Sequence, residues 1–475
     1  MTRRSALKRV LTLLTVSVLA ASCADIDQRT FDPAALDRDA SVVYAQIVVP
    51  SSMDPHRGVT ENDLPLLQVI YDRLTDVDTD GNPIPMLAES WELDDEAGTF
   101  TLTMRDGATF SDGTPVDAAA VKANMDRILT DPKSTIRSQV DRTIGSVAVL
   151  DERRVRFDLV GPGGALPTLL ASRPGMMVSP AALNNADLDQ NPVGAGAFVM
   201  TSSIPGTAYH FDRRPDYWDD DAYRFAKLTF LIQLDTATRM NSLRAGESTM
   251  TGVVGPQKEE ARAGGLQVFT ATGASTSMAR ISLNSARSEF GDKRVRQAMN
   301  LAIDREAISR VLYSGDCIPG AQPYPEGYFA HSDALDDAGW ADHDPDRARA
   351  LLEDAGLSNG FTFTAAVPSL SIYQNNAQVV QQNLADIGID MKIEVMDATQ
   401  SRARFVSGEA DALVGQFGGG TDPGLYARAA YLPTGGDNPG GLTTDRMPAL
   451  LDTTARSTDV AERARAYEDL LAEAL

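Results

Sequence analysis

The chain has 475 residues, 43% hydrophobic and 23% charged, with 37 Gly, 25 Pro and a formal net charge of -23. That length supplies two or three globular units, each with enough material for a core, and excludes wholesale disorder. A pI near 4.6 excludes phosphate-backbone binding, which needs clustered Lys and Arg to release counterions, so no nucleic-acid partner is expected.

In chain order, Arg3, Arg4, Lys8 and Arg9 precede an apolar run from Val10 to Leu19 and the small residues Ala20, Ala21 and Ser22 before Cys23. This is the pattern of an export signal, and its apolar run is too short to span a membrane. The stretch from Leu19 to Cys23 resembles a bacterial lipobox, with Leu19 one residue farther from the cysteine than usual. It implies a lipid-modified Cys23, with plain signal cleavage as the alternative. Thr2 to Lys8 also resembles a twin-arginine signal, with Ala6 where that pattern favours Phe, so general and twin-arginine export both stay open. With Cys23 so assigned, Cys317 has no disulfide partner and reads as a small buried side chain. Residues 24–40 read as a tether, and folding is expected from Ser41.

Thereafter short alternating strands and helical segments interleave. Phe100, Leu102 and Met104 alternate with threonines before an Asp106-Gly107 turn, and 155–159 repeats the pattern. Between them Val116, Val121, Met125 and Leu129 take helical spacing, so 76–190 reads as an α+β unit. From 292 to 313 a stripe of Val295, Ala298, Met299, Ala302 and Ile303 predicts one helix, and Asp304 caps a second carrying Ile308, Val311 and Leu312, ended by Gly315. Asp344 as N-cap, Pro345 at the first helical position and Gly356 as terminator bound another, with Leu351, Leu352 and Ala355 inward. A strand over 361–367, a helix over 376–387 with Val379, Val380, Leu384 and Ile387 inward, and a strand over 389–395 form a βαβ unit with a parallel pair. The sequence ends in AERARAYEDLLAEAL, a helix pattern with no C-cap or closing strand, which reads as an interrupted chain.

Catalytic patterns are sparse. No two of His56, His210, His331 and His343 take the spacing of a zinc pair, and the glycine-rich stretches 161–164 and 418–420 lack the Lys and Ser or Thr of a phosphate loop. Among 66 Asp and Glu, any chosen glycosidase pair is outweighed by solvated surface acids. Neither an enzyme nor a cofactor or metal is expected.

Several motifs stand in one colinear order. Met53-Asp54-Pro55 is followed by Val69-Ile70-Tyr71-Asp72-Arg73-Leu74 and by the run from Asp80-Gly81 through Pro85-Met86-Leu87-Ala88 to Trp91. Then come Arg105-Asp106-Gly107, Asp112-Gly113-Thr114-Pro115, Pro192 to Phe198, Pro215-Asp216-Tyr217-Trp218, Leu243 to Glu247, and Arg294-Val295-Arg296-Gln297-Ala298 leading to Ala302-Ile303-Asp304-Arg305. Together they resemble the large extracytoplasmic solute-binding proteins of ABC importers, family 5, which serve peptides, nickel chelates and some oligosaccharides. Most of these residues read as fold determinants: Trp91 and Trp218 as core aromatics, Arg296 as the holder of a buried carboxylate or carbonyl.

The resemblance implies an α/β, two-lobed periplasmic-binding-protein fold of class II with an extra α+β subdomain in lobe 1. Lobe 1 is placed at 41–75 and 191–272, the inserted subdomain at 76–190 and lobe 2 at 273–475, without the strands by which family members usually return to lobe 1. It further implies a monomer, lipid-anchored to the outer face of the cytoplasmic membrane and touching it through that anchor only, which delivers a peptide or other medium-sized polar solute to ABC permease subunits. A ligand sensor on the same fold, or a carboxylate-dependent envelope hydrolase, are the alternatives. By the family pattern the solute is lined by Met53, Thr276, Ser277, Met278, Ser371, Tyr373, Phe417, Gly418, Gly419 and Asp422. Phe417 and Tyr373 read equally as packing residues and Asp422 as a helix cap. Where dipeptide-binding members place an arginine for the carboxylate and an aspartate for the amine, this sequence has Ser371 and Gly419. A zwitterionic dipeptide is therefore expected to fit poorly, and a larger or less charged ligand better.

Overall fold

The computed structural model describes residues 37–47, 49–58, 63–253, 255–269, 278–417 and 422–474. The export signal with Cys23, most of the tether, and Thr276, Ser277, Gly418 and Gly419 lie outside the described residues.

Three sheets carry the architecture. The first has five strands in the order β11-β1-β10-β9-β8: β1 (Ser41–Gln46), β8 (Phe198–Ile204), β9 (Ala208–Arg213), β10 (Lys227–Ile232) and β11 (Met250–Thr251). Strand β1 runs parallel to both neighbours, with Ser41 opposite Lys227 and Gln46 opposite Ile232, while β8, β9 and β10 form an antiparallel meander. Its first strand in the described residues begins at Ser41. Chain between β1 and β8 forms a hairpin of β2 (Thr75–Val77) and β3 (Pro83–Pro85), then an antiparallel sheet of β4 (Ala88–Asp94), β5 (Thr99–Met104), β6 (Ile144–Val149) and β7 (Arg154–Leu159) in the order β4-β5-β7-β6. The alternation read in 100–104 puts Phe100, Leu102 and Met104 on the buried face. There they pack with Val121, Met125 and Ile128 of the helix Ala118–Thr130, whose N-cap Asp117 accepts from the Ala120 N–H at 2.8 Å.

The third sheet comprises β12 (Met278–Leu283), β13 (Thr362–Pro368), β14 (Asp390–Met396) and β15 (Ala412–Phe417), ordered β12-β15-β13-β14. β13 is parallel to β14 and β15, as the βαβ pattern requires, and β12 is antiparallel to β15. A central strand covered on both faces reads as a near-continuous apolar run, and β13 is buried from Ala365 through Pro368. Helix Lys293–Ala302 buries the predicted stripe of Val295, Ala298, Met299 and Ala302 beneath this sheet, and Arg296 donates to the Phe290 and Gly291 carbonyls at 2.9 and 3.0 Å. Asp344 caps Pro345–Asp354 through the Arg347 N–H, and Gly356 follows at φ +78, in the left-handed region that favours glycine.

Some expectations shift. The helix read at 376–387 begins at Ser371, because a register with Ala377, Val380 and Leu384 inward extends one turn toward the N-terminus, and Val379 sits only half-buried. Val311 is 65% exposed, since helix Arg305–Leu312 packs by Ile308 and Ser309 instead. Cys317 is a free, half-buried thiol rather than a core residue.

A last helical layer, Pro423–Tyr431, Met447–Thr453 and Val460–Ala474, closes around Tyr324, Tyr328 and Tyr467. It also touches the chain after β7: the Gly164 N–H donates to the Ala455 carbonyl and the Thr168 hydroxyl to Asp422, both at 2.6 Å.

Candidate functional site

In open α/β sheets the strand-to-helix turns at the carboxyl ends of parallel strands leave a crevice, and ligands settle there. The third sheet has such a crevice. Where β13, β14 and β15 end and β12 begins lies a cavity of about 170 Å³, lined by Arg280 and Ser282 of β12, Pro368, Tyr373, Ala398, Ser401 and Arg402, and Leu413, Gly415 and Gln416 of β15. The alternation of β12 points Arg280 and Ser282 to one face. Helix Ala398–Val406 brings Ala398, Ser401 and Arg402 to the same cavity on one helical turn, with Asp397 as its cap. Tyr373 reaches over from the first turn of Ser371–Ala385, its hydroxyl 3.4 Å from the Gln416 amide oxygen, and burial pushes its phenol pKa up.

Behind this lining stands Asp437. Arg280 donates to its Oδ2 at 2.7 Å and Arg402 to its Oδ1, while Arg280 lies 5.3 Å from the Tyr426 ring centroid. Burial alone would raise the Asp437 pKa, but the two guanidinium groups outweigh it and hold the carboxyl below its ordinary value. Asn438 fixes the loop that carries it, donating to the Leu432 and Leu442 carbonyls at 3.0 and 2.8 Å.

A second cavity, of about 250 Å³, lies on the side of the first sheet, where Ser51, Ser52, Asp54 and Arg57 face Asn185, Ala186, Leu188 and Asp189. Asp189 accepts from the Ser52 hydroxyl and the Met53 N–H, each at 2.6 Å. Asp54 is a clamp: it takes Arg127 at 2.5 and 2.9 Å and the His56 N–H at 3.0 Å, and it is nearly fully buried. Burial would raise its pKa, yet the Arg127 hydrogen bonds and charge keep it low. His56, wholly buried and facing Arg127 through Nδ1 at 2.8 Å, is pushed down to about 4 by burial first and by that cation second. Solute-sized sites in proteins run to several hundred Å³, so each of these cavities is smaller than a site for a whole medium-sized molecule.

Of the residues singled out from sequence, Tyr373 lines the first cavity, Met278 opens β12 opposite Phe417, the last residue of β15, and Ser371 is the exposed first residue of its helix. Met53 is placed elsewhere: its side chain is in the core with Leu66 and Val178, and its carbonyl accepts from the Tyr71 hydroxyl at 2.9 Å. Asp422 is likewise internal. It caps Pro423–Tyr431 through the Gly424 N–H and pairs with Arg463 at 2.6 Å, with both side chains buried. Arg280, Ser401, Arg402, Gln416 and Asp437 were missed. The polar pair Arg280 and Ser282 on one face of an otherwise apolar strand was the available signal.

The family profile described as bacterial extracellular solute-binding proteins, family 5, matches residues 82–439. The chain belongs to this family. Like its relatives, this family 5 protein is a solute-binding component of an ABC importer and not an enzyme. It is 30% identical over 362 residues to the glutathione-binding protein GsiB of Salmonella paratyphi A, covering 76% of this chain and 70% of that one. The GsiB of Salmonella typhimurium is 27% identical over 435 residues, covering 88% and 84%. Among solved structures, AgaA of A. tumefaciens R10 in complex with agropinic acid superposes with a TM-score of 0.73 at 29% identity over 92% of this chain and 90% of that one. NikA of Brucella suis with Fe(III)-EDTA reaches 0.78 at 24% identity, with 91% of each covered, a likeness of fold. Family 5 proteins have the two-lobed architecture expected from the sequence.

Proposed function

We propose that this family 5 protein captures a short peptide, or a peptide-like solute such as glutathione, between its two lobes and delivers it to the importer's permease. The observation that carries this reading is the cavity at the carboxyl ends of β13, β14 and β15, a mostly apolar hollow of Pro368, Ala398 and Leu413 into which Arg280, Ser282, Tyr373, Ser401, Arg402 and Gln416 bring polar groups. The GsiB relatives support the chemistry of the solute. Thr276, Ser277, Gly418 and Gly419 adjoin Met278 and Phe417 in sequence, and they complete the lining in this proposal. Closure of the lobes requires a solute that contacts both, because only differential affinity for the closed form shifts that population. Residues 76–190 act as a subdomain of the first lobe. The chain is exported and held at the outer face of the cytoplasmic membrane by a lipid on Cys23. Among the described residues no helix is long and apolar enough to cross a membrane.

Isothermal titration with glutathione, tri- and tetrapeptides and dipeptides tests the reading. Glutathione or the longer peptides should bind at least tenfold more tightly than dipeptides, because Ser371 and Gly419 replace the dipeptide anchors. Submicromolar dipeptide binding would overturn the preference, and no binding of any of them would overturn the peptide reading.

A further inference from the structure

The two lobes touch in two unlike ways. Among the described residues, hydrogen bonds join the first-lobe part of the chain, up to 272, to the part from 278 onward at two places. One is the seam between the chain after β7 and the last helical layer, where the Gly164 N–H donates to the Ala455 carbonyl and the Thr168 hydroxyl to Asp422. A Cβ on Gly164 would stand 2.1 Å from the Ser457 carbonyl oxygen and 2.7 Å from that of Ala455, so backbone lies on backbone with no room for a side chain. Thr168 and Asp422 are both buried. Parting this seam would strip buried polar groups of their partners, whereas turning about it keeps them, so it has the properties of a pivot.

The other place is a single side-chain ion pair. Lys258, on the helix Pro256–Ala263, donates to Asp316 in the turn after helix Arg305–Leu312. The Lys258 side chain is 11% exposed and that of Asp316 30%, so the pair is shielded without being sealed. Val311 and Ile318 on either side are 65% and 69% exposed, and no apolar packing backs it. A lysine stem has four carbons, so the ammonium can leave and retake its partner with the backbone at rest. Both ends of the pair stand on the crevice side of their sheets. Helix Pro256–Ala263 follows the carboxyl end of β11, which runs parallel to β1. In the other lobe, the turn carries Tyr313, whose hydroxyl accepts from the Asn376 amide at 2.6 Å on the helix that leaves the carboxyl end of β13 and bears Tyr373.

We infer that Lys258–Asp316 is a latch between the lobes, formed when they close about the Gly164–Ala455 seam and parted when they open. The inference rests on the solute-binding reading above, with its lobe boundaries, and adds what sets the balance between open and closed forms. A contact made in the closed form alone raises the fraction of protein that holds solute, and the apparent affinity rises in proportion. One partly exposed pair shifts such an equilibrium about twofold to fivefold. That biases the lobes toward closure and leaves the solute to complete it.

Small-angle X-ray scattering of the solute-free protein, with calorimetric titration of glutathione, tests the latch. Lys258→Glu sets two acids face to face. It should enlarge the radius of gyration and weaken glutathione binding about threefold or more. Lys258→Glu combined with Asp316→Lys reverses the pair and should return both readouts to wild type. An unchanged radius or affinity in Lys258→Glu, or a reversed pair that fails to restore them, would overturn the latch. A melting temperature that falls while the radius stays put would mark the pair as ordinary packing and overturn it equally. If wild type binds no glutathione, that counts against the peptide reading, and the radii of the three proteins still decide the latch.

Discussion

Arg463→Met removes one half of the most deeply buried ion pair among the described residues. Arg463 donates to Asp422 at 2.6 Å and to the Thr454 carbonyl at 2.9 Å, and its guanidinium lies 5.2 Å from the Phe329 ring centroid; both charged side chains are at most 4% exposed. Methionine fills much of the volume and keeps apolar contact, so the loss is electrostatic. Asp422 would remain buried with the Thr168 hydroxyl and the Gly424 N–H but no cation. Breaking a buried pair from one side costs about 3–5 kcal/mol, most of it the desolvated charge left behind. Asp422 ties helix Pro423–Tyr431 to Thr168, so the loss should fall on the junction between the last helical layer and the chain after β7. Urea unfolding followed by tryptophan fluorescence reads the change, with Trp91 and Trp218 reporting on the first half and Trp340 on the second. The double variant Arg463→Met with Asp422→Leu should recover at least half of the loss, because it removes the orphaned charge. A single variant within about 1 kcal/mol of wild type, or a double variant less stable than the single, would refute the reasoning.

Two further predictions concern pH. Asp72, buried under the Tyr217 hydroxyl at 3.1 Å and the Trp218 indole N–H at 2.7 Å, has its pKa raised to about 7 by burial, which those hydrogen bonds only partly offset. An acid with a raised folded pKa stabilises the fold below its ordinary value of 3.8, and that contribution is lost as pH rises through about 7. Asp72→Asn should therefore remove a decline of up to about 4 kcal/mol between those limits, at about 1.4 kcal/mol per unit; an unchanged stability profile would contradict the assignment. His56 has the opposite sign. With its folded pKa near 4 against 6.5, its contribution is present above 6.5 and fades as pH falls toward 4. His56→Gln should flatten that acid limb by about 3 kcal/mol, and a limb that stays as steep would show that another group carries it.

Local patterns were legible where one short segment decides its own structure. The alternation in β5, the Asp344 cap with Pro345, and the stripe of helix Lys293–Ala302 all follow from side-chain spacing and capping chemistry. The site was less legible because its charges meet across the chain. Arg280 and Asp437 are 157 residues apart, and Asp437 sits in a Gly- and Pro-rich stretch that reads as a loop. Nothing in a single sequence pairs them. Asp54 shows the same limit from the other side. Its Asp-Pro motif marks the family, but only the fold reveals that the carboxylate is spent on Arg127 and on the His56 N–H. Val311 was misplaced because a short amphipathic helix offers two apolar faces and tertiary packing selects one of them.

Native mass spectrometry of the mature protein purified from its own host tests the central claim, capture of a solute without turnover, most directly. The account predicts one small molecule held noncovalently per chain, released on denaturation with its mass unchanged after prolonged incubation. A chain that converts the bound molecule to a product, or that comes off empty and gains no thermal stability from glutathione or from di-, tri- or tetrapeptides, would contradict it.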